Sequence, residues 1–396
     1  MNTYLNALGV VCALGAGKAA VAEALFAGMD EGIRHESGWV PNRDVPLGAA
    51  RSELPPMPFA QAATRDNRNN RLLLLAALEI ETDIRAAIAR YGNARVGVII
   101  GTSTTGIDEA TQGIGGYRRD GVWPADYRYA HQELGAPAAF LAEWLDLAGP
   151  CYGISTACTS SARALLSARR LLRVGICDAV LCGGADTLCG LPINGFHALE
   201  AVDSARCNPF SQHRGGINVG EAAALFLMTR EHGAVQLFGG GASSDAHHMS
   251  SPDPQGLGAQ AAMVAALADA RMDASQIDYL NLHGTATAHN DVMESLAVST
   301  LFPNGVPCSS TKSLTGHTLG AAGALEAAFC WLSLADTHGH RRLPPHVWDG
   351  HPDPALPALD LVAPGRQLAG GKGRHLMSNS FAFGGNNATL ILGDAA

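Results

Sequence analysis

Charge is scarce in this chain: only 16% of its 396 residues are Asp, Glu, Lys or Arg, against about 25% in ordinary soluble proteins. The little there is leans negative, with 27 basic and 36 acidic residues and a formal net charge of −9. A general nucleic-acid or anionic-membrane binder needs a basic surface, so both classes are excluded as the main activity. Long apolar runs are missing too. The longest, residues 72–78 and 222–228, fall far short of the roughly 20 residues that span a bilayer, so no membrane insertion is expected. Residues 1–28 have the outline of a signal peptide, but no basic segment precedes the apolar part, and Lys18 and Glu23 interrupt it. The nine cysteines are odd in number and form no CxxC pair. That pattern favours free thiols in a reducing cytoplasm over a disulfide scaffold. Neither Gly183-Gly184 nor Gly239-Gly240-Gly241 lies in a nucleotide-binding glycine pattern. The paired His247 and His248 have no third ligand at metal-like spacing.

What the chain has in abundance is apolar residues, 47%, and glycine, 46 positions. This composition predicts a large buried core and further surface hidden against another subunit. The length suggests two or three domain-sized units. Short β-branched runs at 96–100, 179–182, 223–228, 279–282 and 388–392 predict strands. Segments of helical spacing lie between them at 18–27, 71–88, 137–147, 160–174, 260–269, 291–301 and 319–335. Continuous apolar strands alternating with helices indicate an α/β fold whose sheets are covered on both faces. The polar, Pro-bearing stretches 37–58, 247–258 and 338–364 predict loops. No repeat of 20–50 residues is present. A weaker echo links residues 155–174 with 315–335, consistent with two similar halves meeting near residues 229–233.

Four local patterns carry chemistry. In Ser155-Thr156-Ala157-Cys158-Thr159-Ser160-Ser161, small residues crowd a cysteine before a helical segment, and the hydroxyls are N-cap candidates. A helix N-terminus favours a thiolate by about 0.3–1 kcal/mol, or about 2 when partly buried. The bland alternative is one more buried thiol. His283-Gly284-Thr285-Ala286-Thr287 follows an apolar strand and presents an imidazole at its end, although a loop histidine is common among 15. Lys312 opens a run through Gly316-His317 and Gly320 into the helix bearing Glu326, where a plain turn is the competing reading. Asn379-Ser380-Phe381-Ala382-Phe383-Gly384-Gly385 precedes the last strand, and alone it reads as a glycine turn.

Taken in order, these motifs resemble the elongating β-ketoacyl-[acyl-carrier-protein] synthases. The resemblance runs from Tyr4 to Leu392 and includes Leu8-Gly9-Val10-Val11 and the loop from Asn208 to Gly216. It implies a thiolase fold, two pseudo-duplicated halves in a five-layered α/β/α/β/α arrangement, with residues 1–231 carrying the nucleophile and 232–396 the histidines. By match to the motifs, Cys158 accepts the acyl group, and His283 and His317 form the pair that stabilises the enolate. Lys312 and Glu326 support that pair. The backbone amides of Cys158 and Phe383 form the oxyanion hole, Thr285 and Thr287 bind pantetheine, and Phe383 is the gate. No metal and no cofactor are implied, because the substrates ride on the phosphopantetheine of acyl carrier protein.

The implied reaction is decarboxylating condensation of an acyl group on Cys158 with malonyl-[acyl-carrier-protein], giving a 3-oxoacyl product. The alternative is a synthase-like chain-length partner with little activity of its own, although such partners usually lose the cysteine. A thiolase is disfavoured because residues 381–387 hold no second cysteine. The family's usual Arg-Pro-Phe-Asp run reads Asn208-Pro209-Phe210-Ser211 here, Gly215 replaces an Asp, and Ala382 replaces a Gly. The loop from Gly101 to Ile107 is also less glycine-rich than in housekeeping enzymes. These departures look more like synthases of specialised clusters, such as those building aryl polyenes or polyketides, than membrane-lipid elongases, and fatty-acid elongation stays open beside them. Arg65, Arg68 and Arg71 are candidates to dock the acidic carrier, with Arg118, Arg119 and Arg128 as possible additions, or else they line a solvated helix start. A homodimer is expected, and a heterodimer with a synthase-like subunit stays open.

Overall fold

The computed structural model describes residues 1–58, 64–335, 341–368 and 373–395. Ten strands build the frame. Five belong to the first part of the chain: β1 (Tyr4–Cys12), β2 (Val96–Gly101), β3 (Cys151–Ile154), β4 (Ala179–Asp186) and β5 (Ala222–Thr229). Five follow: β6 (Val235–Ser244), β7 (Tyr279–Asn281), β8 (Pro307–Ser309), β9 (His375–Phe381) and β10 (Asn386–Asp394). Their spatial orders are β1-β5-β4-β2-β3 and β6-β10-β9-β7-β8. In both sets the first two pairings are antiparallel and the last two parallel. The same order and directions occurring twice is the pseudo-duplication of a thiolase fold. The two sets touch edge to edge where Tyr4 of β1 pairs with Gln236 of β6.

The strands are apolar on both faces because each face meets a different core. Along β5, Ala222, Ala224, Phe226 and Met228 enter the central cluster, while Ala223, Leu225 and Leu227 enter an outer one. An apparently continuous hydrophobic run is thus two alternating patterns superimposed. Among the helices of the described residues, five of the longest fill the layers: α1 (Arg68–Glu79), α2 (Ser160–Arg173), α3 (Leu257–Ala270), α4 (Ala288–Leu301) and α5 (Ala322–Leu334). Helices α2 and α5 pack on each other between the sheets, α1 covers the first set outside, and α3 with α4 covers the second. The result is five layers. Small residues permit the close approaches: a Cβ on Gly9 would lie 1.8 Å from the Ala76 carbonyl oxygen of α1, and one on Gly323 would lie 2.8 Å from Ala162 of α2.

Some sequence expectations need correction. The single helix over 71–88 is two helices, Arg68–Glu79 and Glu81–Tyr91, broken at Ile80, whose φ of −119° leaves the helical range. The stretch 37–58, expected as loop, contributes to an antiparallel pair, Ile33–Val40 with Arg43–Gly48. Residues 338–340 of the last expected loop lie outside the described residues. Among the described residues, no helix is long and apolar enough to cross a membrane.

Candidate active site

Cys158 sits in the turn between β3 and α2. Ala157, immediately before it, adopts a left-handed φ of 52°, which costs a non-glycine residue about 1–2 kcal/mol. That kink is held by hydroxyls. The Thr156 amide donates to Ser160 Oγ at 2.9 Å, Ser160 Oγ donates to the Ala157 carbonyl at 2.5 Å, and Thr159 Oγ1 donates to the Thr156 carbonyl at 2.8 Å. The Ser/Thr cluster therefore shapes the turn instead of capping the helix, whose N-cap Thr159 makes no side-chain cap bond.

His317 is carried by the turn after Lys312–Thr315, and its amide donates to the Asn218 carbonyl at 2.6 Å. His317 Nε2 lies 3.0 Å from Cys158 Sγ. His283 leaves the end of β7, where Glu294 of α4 accepts both the His283 amide at 2.7 Å and the Gly284 amide at 2.6 Å. The imidazoles meet edge to face, ring centres 5.3 Å apart at 84°. Cys158 Sγ and one nitrogen of each ring fall within 4.8 Å of one another. The two histidines predicted to act together in the second half of the sequence are thus joined with the thiol of the first.

Lys312 Nζ is buried beneath them, donating to the His283 carbonyl at 2.5 Å and pairing with Glu326 of α5. Burial, then the Lys312 charge, holds His283 and His317 well below the ordinary histidine range. Both rings are therefore neutral at pH 7, each with one N–H. Their Nδ1 atoms are buried and find no hydrogen-bond partner among the described residues. An orphaned lone pair is cheaper than an orphaned N–H, so the proton resides on Nε2. Burial also pushes the Cys158 thiol up to about 12, the nearby Lys312 opposing and Glu326 and Asp186 adding to it. This corrects the thiolate expected from the helix N-terminus: desolvation outweighs the helix dipole, and the resting group is a thiol.

A cavity of about 210 Å³ opens from the thiol to the surface, lined by Thr285, Thr287, Phe196, Phe383 and the 250–252 segment among others. Thr285 and Thr287 hydroxyls lie 2.9 Å apart along its wall. Phe383 is 37% exposed at the mouth, its ring 5.4 Å from Phe196. The glycine turn that bears it is stitched to residues 245–249: the Gly384 amide donates to the Met249 carbonyl at 2.8 Å, and Asp245 accepts from Asn387 at 2.6 Å.

The arginines Arg65, Arg68 and Arg71 do not form one free basic patch. Arg65 pairs with Glu143 at 3.0 Å and Arg71 with Asp66 at 2.6 Å. Arg68, although its side chain stays part-exposed, pairs with the fully buried Glu221, which also accepts the Ala50 and Leu188 amides. Sequence reasoning missed Glu221 and three other buried carboxylates near the site. Asp291 anchors the Asn208–Ser211 loop by accepting the Phe210 amide at 2.7 Å, and burial raises it to about 6. Glu294 is raised to about 7 by the same cause. Asp186 gathers donors from two loops. The Gly215 departure also has a local reason, because a Cβ there would lie 2.7 Å from Asp203 Oδ2.

The family model described as "Beta-ketoacyl synthase, N-terminal domain" matches residues 57–234, and that described as "Beta-ketoacyl synthase, C-terminal domain" matches 235–347. Nodulation protein E of Rhizobium leguminosarum bv. trifolii is 33% identical over 349 residues, covering 84% of each chain. 3-Oxoacyl-[acyl-carrier-protein] synthase 2 of Vibrio harveyi is 32% identical over 338 residues, covering 80% of each. Among solved structures, a chain of the complex of ketosynthase ApeO with its chain length factor ApeC from Xenorhabdus doucetiae superposes with a TM-score of 0.94 at 47% identity, covering 100% of this chain and 98% of that one.

Proposed function

Because the chain belongs to the beta-ketoacyl synthase family, we propose that it is a 3-oxoacyl-[acyl-carrier-protein] synthase that extends an acyl chain by decarboxylating condensation. The observation that carries this reading is the contact of Cys158 Sγ with His317 Nε2 at 3.0 Å beside a second neutral imidazole.

In the first step, Cys158 Sγ attacks the carbonyl carbon of an acyl thioester. The bond to the carrier sulfur breaks, and the thiol proton ends on that departing sulfur. His317 Nε2–H supports the negative charge on Sγ as it develops. The amides of Cys158 and Phe383 serve the tetrahedral oxygen. In the second step, a malonyl thioester loses carbon dioxide, and the electron pair of the broken bond moves into a thioester enolate. Neutral His283 and His317 hydrogen-bond that oxygen without taking its charge, which keeps the carbanion reactive. In the third step, this carbon attacks the acyl-enzyme carbonyl, and Cys158 leaves with the C–S bond electrons and takes a proton from water.

The pantetheine arm lies along Thr285 and Thr287, and Phe383 turns aside to admit it. The condensation needs no cofactor and no metal. Acyl carrier protein is the partner, docked beside the exposed parts of Arg65, Arg68 and Arg71. The loop departures at Asn208, Ser211, Gly215 and Ala382 favour a specialised polyene or polyketide pathway over membrane-lipid elongation, in the cytoplasm. A specific observation favours a second subunit as well. The edge strand β3 leaves Cys151 exposed, and the likeness to a ketosynthase solved with a chain length factor supports a synthase-like partner.

The test is turnover of the purified chain with acyl- and malonyl-carrier thioesters, alone and with a synthase-like partner, read by product mass. A 3-oxoacyl product two carbons longer, with carbon dioxide released, is expected. No product under either condition, while a catalytically complete second synthase turns over in the same assay, would make this chain the silent partner.

A further inference from the structure

Asp186 ends β4 with its carboxylate fully buried, and no motif singles it out. Six donor groups converge on its two oxygens. From the loop after β2 come Thr102 Oγ1 at 2.6 Å, the Ser103 amide at 2.8 Å and Ser103 Oγ at 2.6 Å. The same loop adds the Thr104 amide at 2.9 Å and Thr104 Oγ1 at 2.8 Å. The sixth, the Gly320 amide at 2.6 Å, comes from the other half of the chain, three residues after His317. A carboxylate offers about four lone-pair sites, so this one is fully occupied.

The backbone is shaped around it. A Cβ on Gly320 would lie 2.6 Å from Asp186 Oδ2, and Leu319 before it holds a left-handed φ of 51°. The loop gripped by Asp186 starts at Gly101, whose Cβ would lie 2.3 Å from the Ser161 amide at the start of α2. One carboxylate thus fixes the turn that follows His317 and a loop pressed on the helix that follows Cys158.

We propose that Asp186 is a positioning residue for the condensation: by gripping residues 102–104 and the Gly320 amide together, it sets His317 against Cys158. The inference rests on the synthase reading for its turnover consequence, but its geometric content does not. The Asp186 charge is also among the fields that hold the Cys158 thiol up, which gives a readout that mere scaffolding lacks. Removing that charge favours the thiolate, so alkylation of Cys158 must shift to lower pH.

The experiment compares the full chain with Asp186→Asn and Thr104→Val, normalising turnover to active sites titrated by iodoacetamide and following alkylation against pH. Asp186→Asn is expected to lower kcat per active site about 100-fold, as an ångström-scale misplacement does, with KM changed less than about 2-fold. Its alkylation profile is expected to move to lower pH. Thr104→Val, which removes one of the six donors and keeps the charge, is expected to lower kcat roughly 3-fold without that move. It carries the test if the Asn variant does not fold. Unchanged turnover per active site overturns the proposal, and so does a fall in turnover without the alkylation shift in the Asn variant, since loosening alone produces it. A wild-type chain that never turns over would sink the synthase reading instead, while the alkylation profiles would still judge Asp186.

Discussion

The His283→Ala protein is expected to become acylated on Cys158 at near the normal rate and to make almost no elongated product. The division follows from the contacts. Cys158 Sγ touches His317 at 3.0 Å, so the residue that assists acyl transfer remains. His283 meets the edge of His317 and the Phe381 ring, and its part begins when malonyl thioester enters and the enolate oxygen needs its second N–H donor. Loss of one such donor in a water-excluded site costs about 10²–10³ in rate. The variant is checked by intact mass for the acyl adduct and by product mass for condensation, after thermal unfolding confirms a folded protein. Loss of the adduct together with the product would mean that both imidazoles serve the thiol. Full condensation would remove His283 from the chemistry.

Lys312→Met is expected to act on stability and to do so in a pH-dependent way. Lys312 and Glu326 are both buried, and removing one partner of a buried pair costs about 3–5 kcal/mol because the other charge is stranded. Glu326 is already pushed up to about 7 by burial, with Lys312 opposing. A carboxyl raised in the folded state stabilises most below its unfolded pKa, and that contribution is lost as pH rises through the folded value. Without Lys312 the folded value climbs further. The variant should therefore unfold more easily than wild type at pH 8 and recover part of the difference near pH 5, where Glu326 is protonated. The double variant Lys312→Met with Glu326→Gln should be more stable than Lys312→Met alone at pH 8. Melting curves across pH 5 to 8 check this; a deficit that is flat with pH would mean that Lys312 matters through packing alone.

The nucleophile and the histidine pair were legible because each sits in a short contiguous motif whose residues perform local tasks. Ser160 shapes the Cys158 turn, and Gly323 lets α5 approach α2. The carboxylates that hold these motifs in place were not legible, because their partners are distant in sequence. Asp186 receives Thr102 across 84 residues and Gly320 across 134, and Glu221 receives Arg68 across 153. No local spacing announces such a bond. A different cause hid β6. Its Gly239 and Gly241 argue against a strand, yet their missing side chains are what admits α3, since a Cβ on Gly241 would lie 2.0 Å from the Ala262 carbonyl oxygen. The protonation of Cys158 was misread because sequence shows a helix start but not the burial above it, and burial sets the sign.

The central claim, that Cys158 carries the growing chain, is tested most directly by intact-protein mass after mixing the chain with acyl-carrier thioesters. The donors should span saturated short, medium and long chains, a polyunsaturated chain and an aryl-headed chain. The account predicts a single covalent acyl increment on the wild-type protein that is absent from Cys158→Ala. An increment that persists in Cys158→Ala, or wild-type condensation with no increment at any donor, would contradict it.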